Sequence, residues 1–433
     1  MKYANSILEL PNAFRAEPLE ISELKEFYYD GTMEVRTADN YDSPITDIFY
    51  DCMIPSSQNA FLLLGHRGCG KSTELNEMSS RLQDAGYQVR SIPCTVDMDL
   101  LNPVYADLLI LMGEYLLDIA REVNCSLSAR SKQVLKSFWR TEIEQVITET
   151  EGEGINLDAG VEIHTPVLLN WLMQAFIKVK GDLKYSEEKR TTYRERISQH
   201  SRDWLDAMND ISCSITEKSD GKQPILIFED LDKLDPEEAW KIFFFRAAML
   251  TGVSFPVIYT FPIALSYHEK FAALEGYFKI KTLPMIKQRN LDGTPCEEGY
   301  ETVRKIVEKR ADLHLFEETA LRKMIEKTGG SLRDLFTAIN DCAIRARRRK
   351  SPRIEMEDAD RALEKLKTSL TRRISGDHYD FLAEIYNGQH EKIEDREMLL
   401  KMLQANAVLE YNGKRWHDVH PLVADFLVEQ GLT

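Results

Sequence analysis

Residues 61–73 read FLLLGHRGCGKST. Phe61, Leu62, Leu63 and Leu64 form an unbroken apolar run, the pattern of a parallel strand covered on both faces. They lead into Gly65-His66-Arg67-Gly68-Cys69-Gly70-Lys71-Ser72, then Thr73, which meets G-x-x-x-x-G-K-[ST] at every fixed position. A loop that wraps a triphosphate must bring its backbone N–H groups close to the oxygens, and glycines permit that approach. Lys71 is expected to reach the β and γ phosphates, and the Ser72 hydroxyl to ligate Mg²⁺. A helix starting near Lys71 would point its positive end at the anion. A glycine-rich turn without a ligand is the plainer alternative, but it explains neither the strand before the motif nor the helix after it. The stretch reads as a nucleotide-binding loop, Gly65 to Thr73.

The remaining composition bounds what surrounds this loop. At 433 residues the chain exceeds one ordinary core, so two or three domains are expected. No apolar run approaches the roughly 20 residues that span a bilayer, and the first residues lack a signal peptide's pattern. Seven scattered cysteines without a C-x-x-C pair point to a reducing, cytoplasmic setting rather than a disulfide framework or zinc site. Net charge is −16, and residues 291–433 carry 24 Lys and Arg against 27 Asp and Glu. The acidity therefore lies mainly in the nucleotide-binding half, and any nucleic-acid contact would need a local patch.

Taken in order, residues 1–55 read as an arm, with a short helix within 19–29. Arg36 and Tyr41, just upstream of the loop, are candidates for holding a base, though a solvated surface role is the expectation for both. A helix over 71–86 and a strand over 87–96 continue the strand, loop, helix, strand pattern of a doubly wound α/β sheet. Residues 104–124 read as an apolar core helix. Residues 125–222 read as a helical insertion, with helical patterns over 131–150 and 175–215 and a loop over 151–160. Its Arg190, Arg194, Arg196 and Arg202 are expected on a solvated, ion-paired face, with contact to a partner subunit's nucleotide as the alternative.

The second informative stretch is PILIFEDLDKLD, residues 224–235. A buried strand over 225–228 ends directly in Glu229, Asp230, Asp232 and Asp235. Acids at the carboxyl end of such a strand can hold Mg²⁺ and polarise an attacking water.

With both stretches in one chain, the sequence resembles P-loop ATPases of the AAA+/STAND type, near the Orc/Cdc6 initiator branch. The resemblance covers roughly 30–433, apart from most of the insertion. It implies Glu229 for Mg²⁺ and Asp230 for the catalytic water, although this chain's Glu-Asp order reverses the family's usual pattern. A one-residue shift would make Asp230 the metal residue. It also implies sensor 1 at Thr260, near the end of an apolar strand over 255–261. Sensor 2 falls at Arg333, in the Gly329-Gly330-Ser331-Leu332-Arg333 turn. A lid arginine can bridge to the γ-phosphate and make closure depend on nucleotide. No trustworthy arginine finger emerges; Arg246 and Arg289, after the last core strand over 280–286, are the nearest candidates.

Helical patterns over 298–312, 317–328, 332–348 and 355–367 read as a small lid. Residues 370–433 read as a winged helix, with helices over 377–386, 396–406 and 421–429. Its hairpin pairs 408–411 with 414–419 through the Asn412-Gly413 turn. The expected division is 1–55 arm, 56–290 ATPase core, 291–369 lid and 370–433 winged helix. The winged helix offers DNA only Arg396, Lys401, Lys414 and Arg415, and one further basic run spans 345–350 with Arg353 nearby. A protein-contact or nucleotide-locking use is therefore preferred over DNA reading. ATP is preferred over GTP because no N-K-x-D motif occurs. The leading expectation is an ATP- and Mg²⁺-dependent switch or motor acting on a protein partner or by self-association. The resemblance places such ATPases beside effectors and in bacterial defence. The alternatives are a DNA-binding initiator or clamp-loader ATPase and, less in keeping with lid and winged helix, a small-molecule kinase.

Overall fold

The computed structural model describes residues 1–37, 43–54, 58–151, 163–388, 393, 395–411 and 416–433. Five strands form one parallel sheet: β1 (Ala60–Gly65), β2 (Val89–Pro93), β3 (Ile225–Glu229), β4 (Val257–Pro262) and β5 (Lys279–Thr282). Their spatial order is β2-β3-β4-β1-β5. Every residue of β1 is buried, which is why its sequence shows no polar alternation. Leu62 and Leu64 enter the core on one face, Phe61 and Leu63 the core on the other, as the two-residue period of a strand requires.

The connection order positions the site. From β1 the chain runs to β2 at the far edge, returns through β3 and β4, and then passes to β5 beyond β1. β4 thus separates β1 from β3, and Thr260 pairs in register with Leu63. The loop after β1 and the acids after β3 open on the same end of the sheet, across the tip of β4. This is the expected α/β P-loop architecture, with helices on both faces.

Two strands are shorter than the sequence pattern implies. β2 stops at Pro93 because residues Cys94–Asp97 turn into a helical segment. β5 stops at Thr282, although Leu283, Met285 and Ile286 are fully buried. There the chain leaves the sheet, and Met285 pairs instead with Tyr411 of the C-terminal hairpin.

Between β2 and β3 lie the helices Tyr105–Glu122, Ala129–Phe138, Arg140–Glu151, Thr165–Tyr185, Glu187–Gln199 and Ser201–Lys218. The single patterns over 131–150 and 175–215 are therefore broken, at Trp139 and then at Ser186 and His200, where the backbone leaves helical geometry. Most of the expected loop over 151–160 lies outside the described residues. Trp139, Phe176 and Trp204 share one continuous core with Phe228 and Tyr259 of the sheet. The insertion completes one face of the sheet.

Three of its four named arginines are ion-paired, as expected, but largely inside rather than solvated. Arg190 lies 2.5 Å from Asp99, Arg194 2.6 Å from Asp107 and Arg196 2.9 Å from Glu142. The Arg194 and Arg196 pairs each join two helices and the Arg190 pair joins a helix to the segment after Cys94–Asp97, so the charges close the insertion rather than reach outward. Arg202 alone of the four is exposed.

The C-terminal part contains the helices Glu297–Glu308, Glu318–Lys327, Leu332–Arg349 and Met356–Thr371, followed by Tyr379–Tyr386 and Arg396–Gln404. β6 (Val408–Tyr411) and β7 (Trp416–Val419) pair antiparallel, and helix Pro421–Glu429 closes the chain. This arrangement fits a winged helix; its expected turn and Lys414 and Arg415 lie outside the described residues. These helices share one core, which Leu10, Ala13 and Phe14 of the N-terminal segment enter. Ala4 forms a bridge with Ala311. All seven cysteines are free, and among the described residues no helix is long and apolar enough to cross a membrane.

Candidate nucleotide site

The loop after β1 bends through Gly68 and Gly70, both at positive φ, before helix Lys71–Asp84 begins. At Gly68 a Cβ would lie 2.9 Å from the Cβ of Arg333, so a side chain would separate the loop from the lid. The N-terminus of the helix opens into a cavity of about 570 Å³, within the range of small-molecule sites. Arg67, Gly68, Gly70, Lys71, Ser72 and Thr73 line it, as do Glu229, Asp230, Asp232 and Arg333. The side chains of His66 and Cys69 are buried away from it.

Lys71 is folded onto its own loop. Its Nζ donates to the carbonyls of Gly65 and His66 at 2.6 and 2.9 Å, and lies 2.9 Å from Asp232 Oδ2. Burial alone would raise the Asp232 carboxyl, yet the Lys71 ammonium more than offsets it and holds the carboxyl below its usual range. Asp232 was visible in the acidic run, but its pairing with Lys71 was not.

Of the two leading acids, Glu229 is the one that has the Ser72 and Ser91 hydroxyls beside it, and they hold its carboxyl down against burial. Burial, and then the neighbouring Asp230 and Asp232, push its carboxyl upward. Ser72 and Glu229 form a hard oxygen pair beside the loop, suited to an ion that keeps waters and takes its other ligands from phosphates. Among the described residues no three His, Cys, Asp or Glu side chains gather as a metal cage. Mg²⁺ fits this donor pair only as a partner of bound phosphate.

Asp230 occupies the left-handed backbone region, with φ 70°. Thr95 Oγ1 donates to it at 2.5 Å and Lys233 lies 2.6 Å away. Such backbone outliers cluster at functional sites. Thr260 does not line the cavity. Its Oγ1 accepts from Leu231 N–H at 3.0 Å and donates to the Phe228 carbonyl at 3.2 Å. The hydroxyl clamps the chain on both sides of Glu229 and Asp230.

The lid meets the loop at the predicted turn. Leu332 N–H donates to the Gly68 carbonyl at 3.1 Å. A Cβ on Gly330 would lie 1.9 Å from the Ile286 carbonyl, so only glycine allows this approach. Arg333 lines the cavity and makes no ion pair among the described residues. Arg246 stacks over Tyr105, and Arg289 reaches Gly293 and Asp418; neither lines the cavity.

Contacts absent from the sequence reading come from the N-terminal segment and the hairpin. Arg36 is completely buried rather than solvated, bonding the carbonyls of Pro284 and Cys69. It braces the phosphate loop from below; Tyr41 lies outside the described residues. Leu19 N–H donates to Thr73 Oγ1, and Glu74 accepts from Tyr28 and Thr32. On the other side, Glu410 N–H of β6 donates to His66 Nε2 at 2.8 Å. Burial, then Lys71, pushes the His66 pKa down to about 3, which keeps this nitrogen an acceptor.

No known family and no curated protein matches the sequence. Among solved structures the chain is similar to the Walker-type ATPase of Pyrococcus abyssi, at 14% identity and TM-score 0.45 over 96% of this chain and 99% of that one. It is also similar to Cdc6p from Pyrobaculum aerophilum, at 12% identity and TM-score 0.38 over 98% and 99%. For the ORC2 protein of Aeropyrum pernix the identity is 12% and the TM-score 0.41, over 92% and 94%. The strand order around the loop, the lysine and serine that open its helix, and the acids at the end of β3 give this chain the fold of a P-loop NTPase.

Proposed function

We propose that the chain is an ATP-hydrolysing switch whose nucleotide state sets the position of lid and winged helix, and through them a partner. The observation that carries this reading is the three-sided grip on one loop. The core holds Lys71 through Asp232, the lid holds Gly68 through Leu332, and the hairpin holds His66 through Glu410. A phosphate seated in the loop must alter at least the first contact, and the other two share its backbone.

In this reading the loop amides and Lys71 bind the phosphates, and Ser72 with Glu229 would hold Mg²⁺, which offsets charge between the phosphates. Asp230 orients the attacking water, Thr260 positions Asp230, and Arg333 closes on the γ-phosphate from the lid. The moving parts would be 291–369 and 370–433. A regulatory or defence setting follows only from the STAND resemblance. Against a DNA reader, helix Arg396–Gln404 packs on Ile263–Tyr267 of the core. Lys401 is paired with Glu397, and Arg345 and Arg349 with acids of their own region.

The test is the mass and hydrodynamic radius of the full chain with ADP and with a non-hydrolysable ATP analogue, with and without DNA. The switch predicts different profiles for the two nucleotides and no effect of DNA. Identical profiles would overturn it, and a DNA-dependent mass would favour the initiator reading.

A further inference from the structure

Arg310 follows helix Glu297–Glu308 and lines the cavity with Ile306, Phe336, Leu19 and Phe27. It is 5% exposed, and its guanidinium lies 4.4 Å over the Phe336 ring. Among the described residues it meets no carboxylate at ion-pair distance. Its contacts are the Ala13 carbonyl at 3.3 Å and the Met1 sulfur at 3.9 Å, and its Nε has no partner. A buried guanidinium keeps its charge, offers only donors and is costly to leave unpaired.

The backbone that carries the side chain is fixed. Ala4 N–H donates to the Arg310 carbonyl at 2.9 Å, and Asp312 N–H donates to Ala4 at 2.9 Å. The N-terminal segment therefore pins the residue at the cavity wall. Its cavity neighbours Ile306, Phe336, Leu19 and Phe27 are apolar and aromatic, a lining suited to a flat heterocycle, with Arg15 and Glu23 near enough to act on its charge.

We infer that Arg310 reads the base of the bound nucleotide, donating to a ring-nitrogen acceptor of a purine lodged between the N-terminal segment and the lid. This rests on the nucleotide reading above and assigns the base end of the same cavity. Purines present such acceptors on both rings, and a guanidinium already stacked on Phe336 presents its donors in one plane.

The test compares wild type with Arg310→Met, titrated with Mg·ATP and, separately, with inorganic tripolyphosphate, with a thermal melt of each. ATP affinity is expected to fall about 10- to 100-fold, as for a lost charged hydrogen bond, while tripolyphosphate affinity stays unchanged. The ligand-free melting temperature should not fall, because an unpaired buried cation has been removed. Unchanged ATP affinity, or an equal loss for both ligands, would overturn the inference. If Arg310→Met does not fold, Arg310→Lys, which keeps charge but loses the planar fork, is read by the same two affinities. A wild type that binds neither ligand would instead overturn the nucleotide reading itself.

Discussion

Lys71 Nζ lies 2.9 Å from Asp232 Oδ2, with only 6% and 10% of the two side chains exposed. The lysine that we propose meets phosphate is thus neutralised here by an internal carboxylate. Removing one partner of a buried pair strands the other charge, at a cost of about 3–5 kcal/mol. Asp232→Asn should therefore lower ligand-free stability by roughly that amount in a urea melt. The stabilisation by ATP should grow, since the phosphates restore what Lys71 has lost. A ligand-free melt that matches wild type would show that the pair does not bear on folding.

Thr260 reads from the sequence as sensor 1, a polar side chain that detects the γ-phosphate or aligns water, and its hydroxyl spans Leu231 N–H and the Phe228 carbonyl. Thr260→Val keeps the shape and leaves Leu231 N–H buried without an acceptor, costing about 1–3 kcal/mol. Because that peptide follows Asp230, turnover should fall roughly 10- to 100-fold through misplacement. ATP affinity should be unchanged. An equal loss in binding would return Thr260 to direct contact with the nucleotide.

What could be read in the sequence was local. The loop from Gly65 to Thr73, the acids after Phe228 and the Gly-Gly turn before Arg333 each lie within a dozen residues, and the structure brings all three to one cavity. What could not be read depends on partners far along the chain. Arg36 looked like a surface residue because its partners are backbone carbonyls of Cys69 and Pro284, which have no side-chain signature. Leu10 and Phe14 have helical spacing but lie at the start and cap of a helix of only four residues, too short to read, and the aromatic partners of Phe14, Phe316 and Phe336, are far along the chain. The strand after residue 279 was overextended because Leu283 and Met285 are as apolar as a strand, while Met285 pairs with the hairpin instead.

His66 ties the loop to β6 through Glu410 N–H. His66→Ala should leave that amide without its acceptor, cost about 1–2 kcal/mol and speed hydrogen exchange across 408–411. The tie itself should persist unchanged from pH 5 to 8, because the ring stays neutral with its pKa near 3. Exchange at Glu410 that does not differ between the two proteins would remove the coupling between loop and hairpin.

Glu114 titrates the other way. Burial, opposed by Lys180 at 2.9 Å, pushes its pKa up to about 7. Between its ordinary value and 7 the folded chain holds a proton that the unfolded chain has released, so stability falls as pH rises through that window. Glu114→Gln removes this dependence. The stability of the variant relative to wild type should rise between pH 5 and 8, by at most about 3 kcal/mol. A difference that is flat across that range would contradict the assignment.

The central claim is that the Gly65–Thr73 loop binds ATP. Calorimetric titration of the full chain with Mg·ATP and with Mg·GTP, repeated on Lys71→Ala, tests it most directly. The account predicts one ATP per chain, weaker binding of GTP, and no measurable binding in the variant. A Lys71→Ala chain that titrates like wild type, or a wild type that prefers GTP, would contradict it.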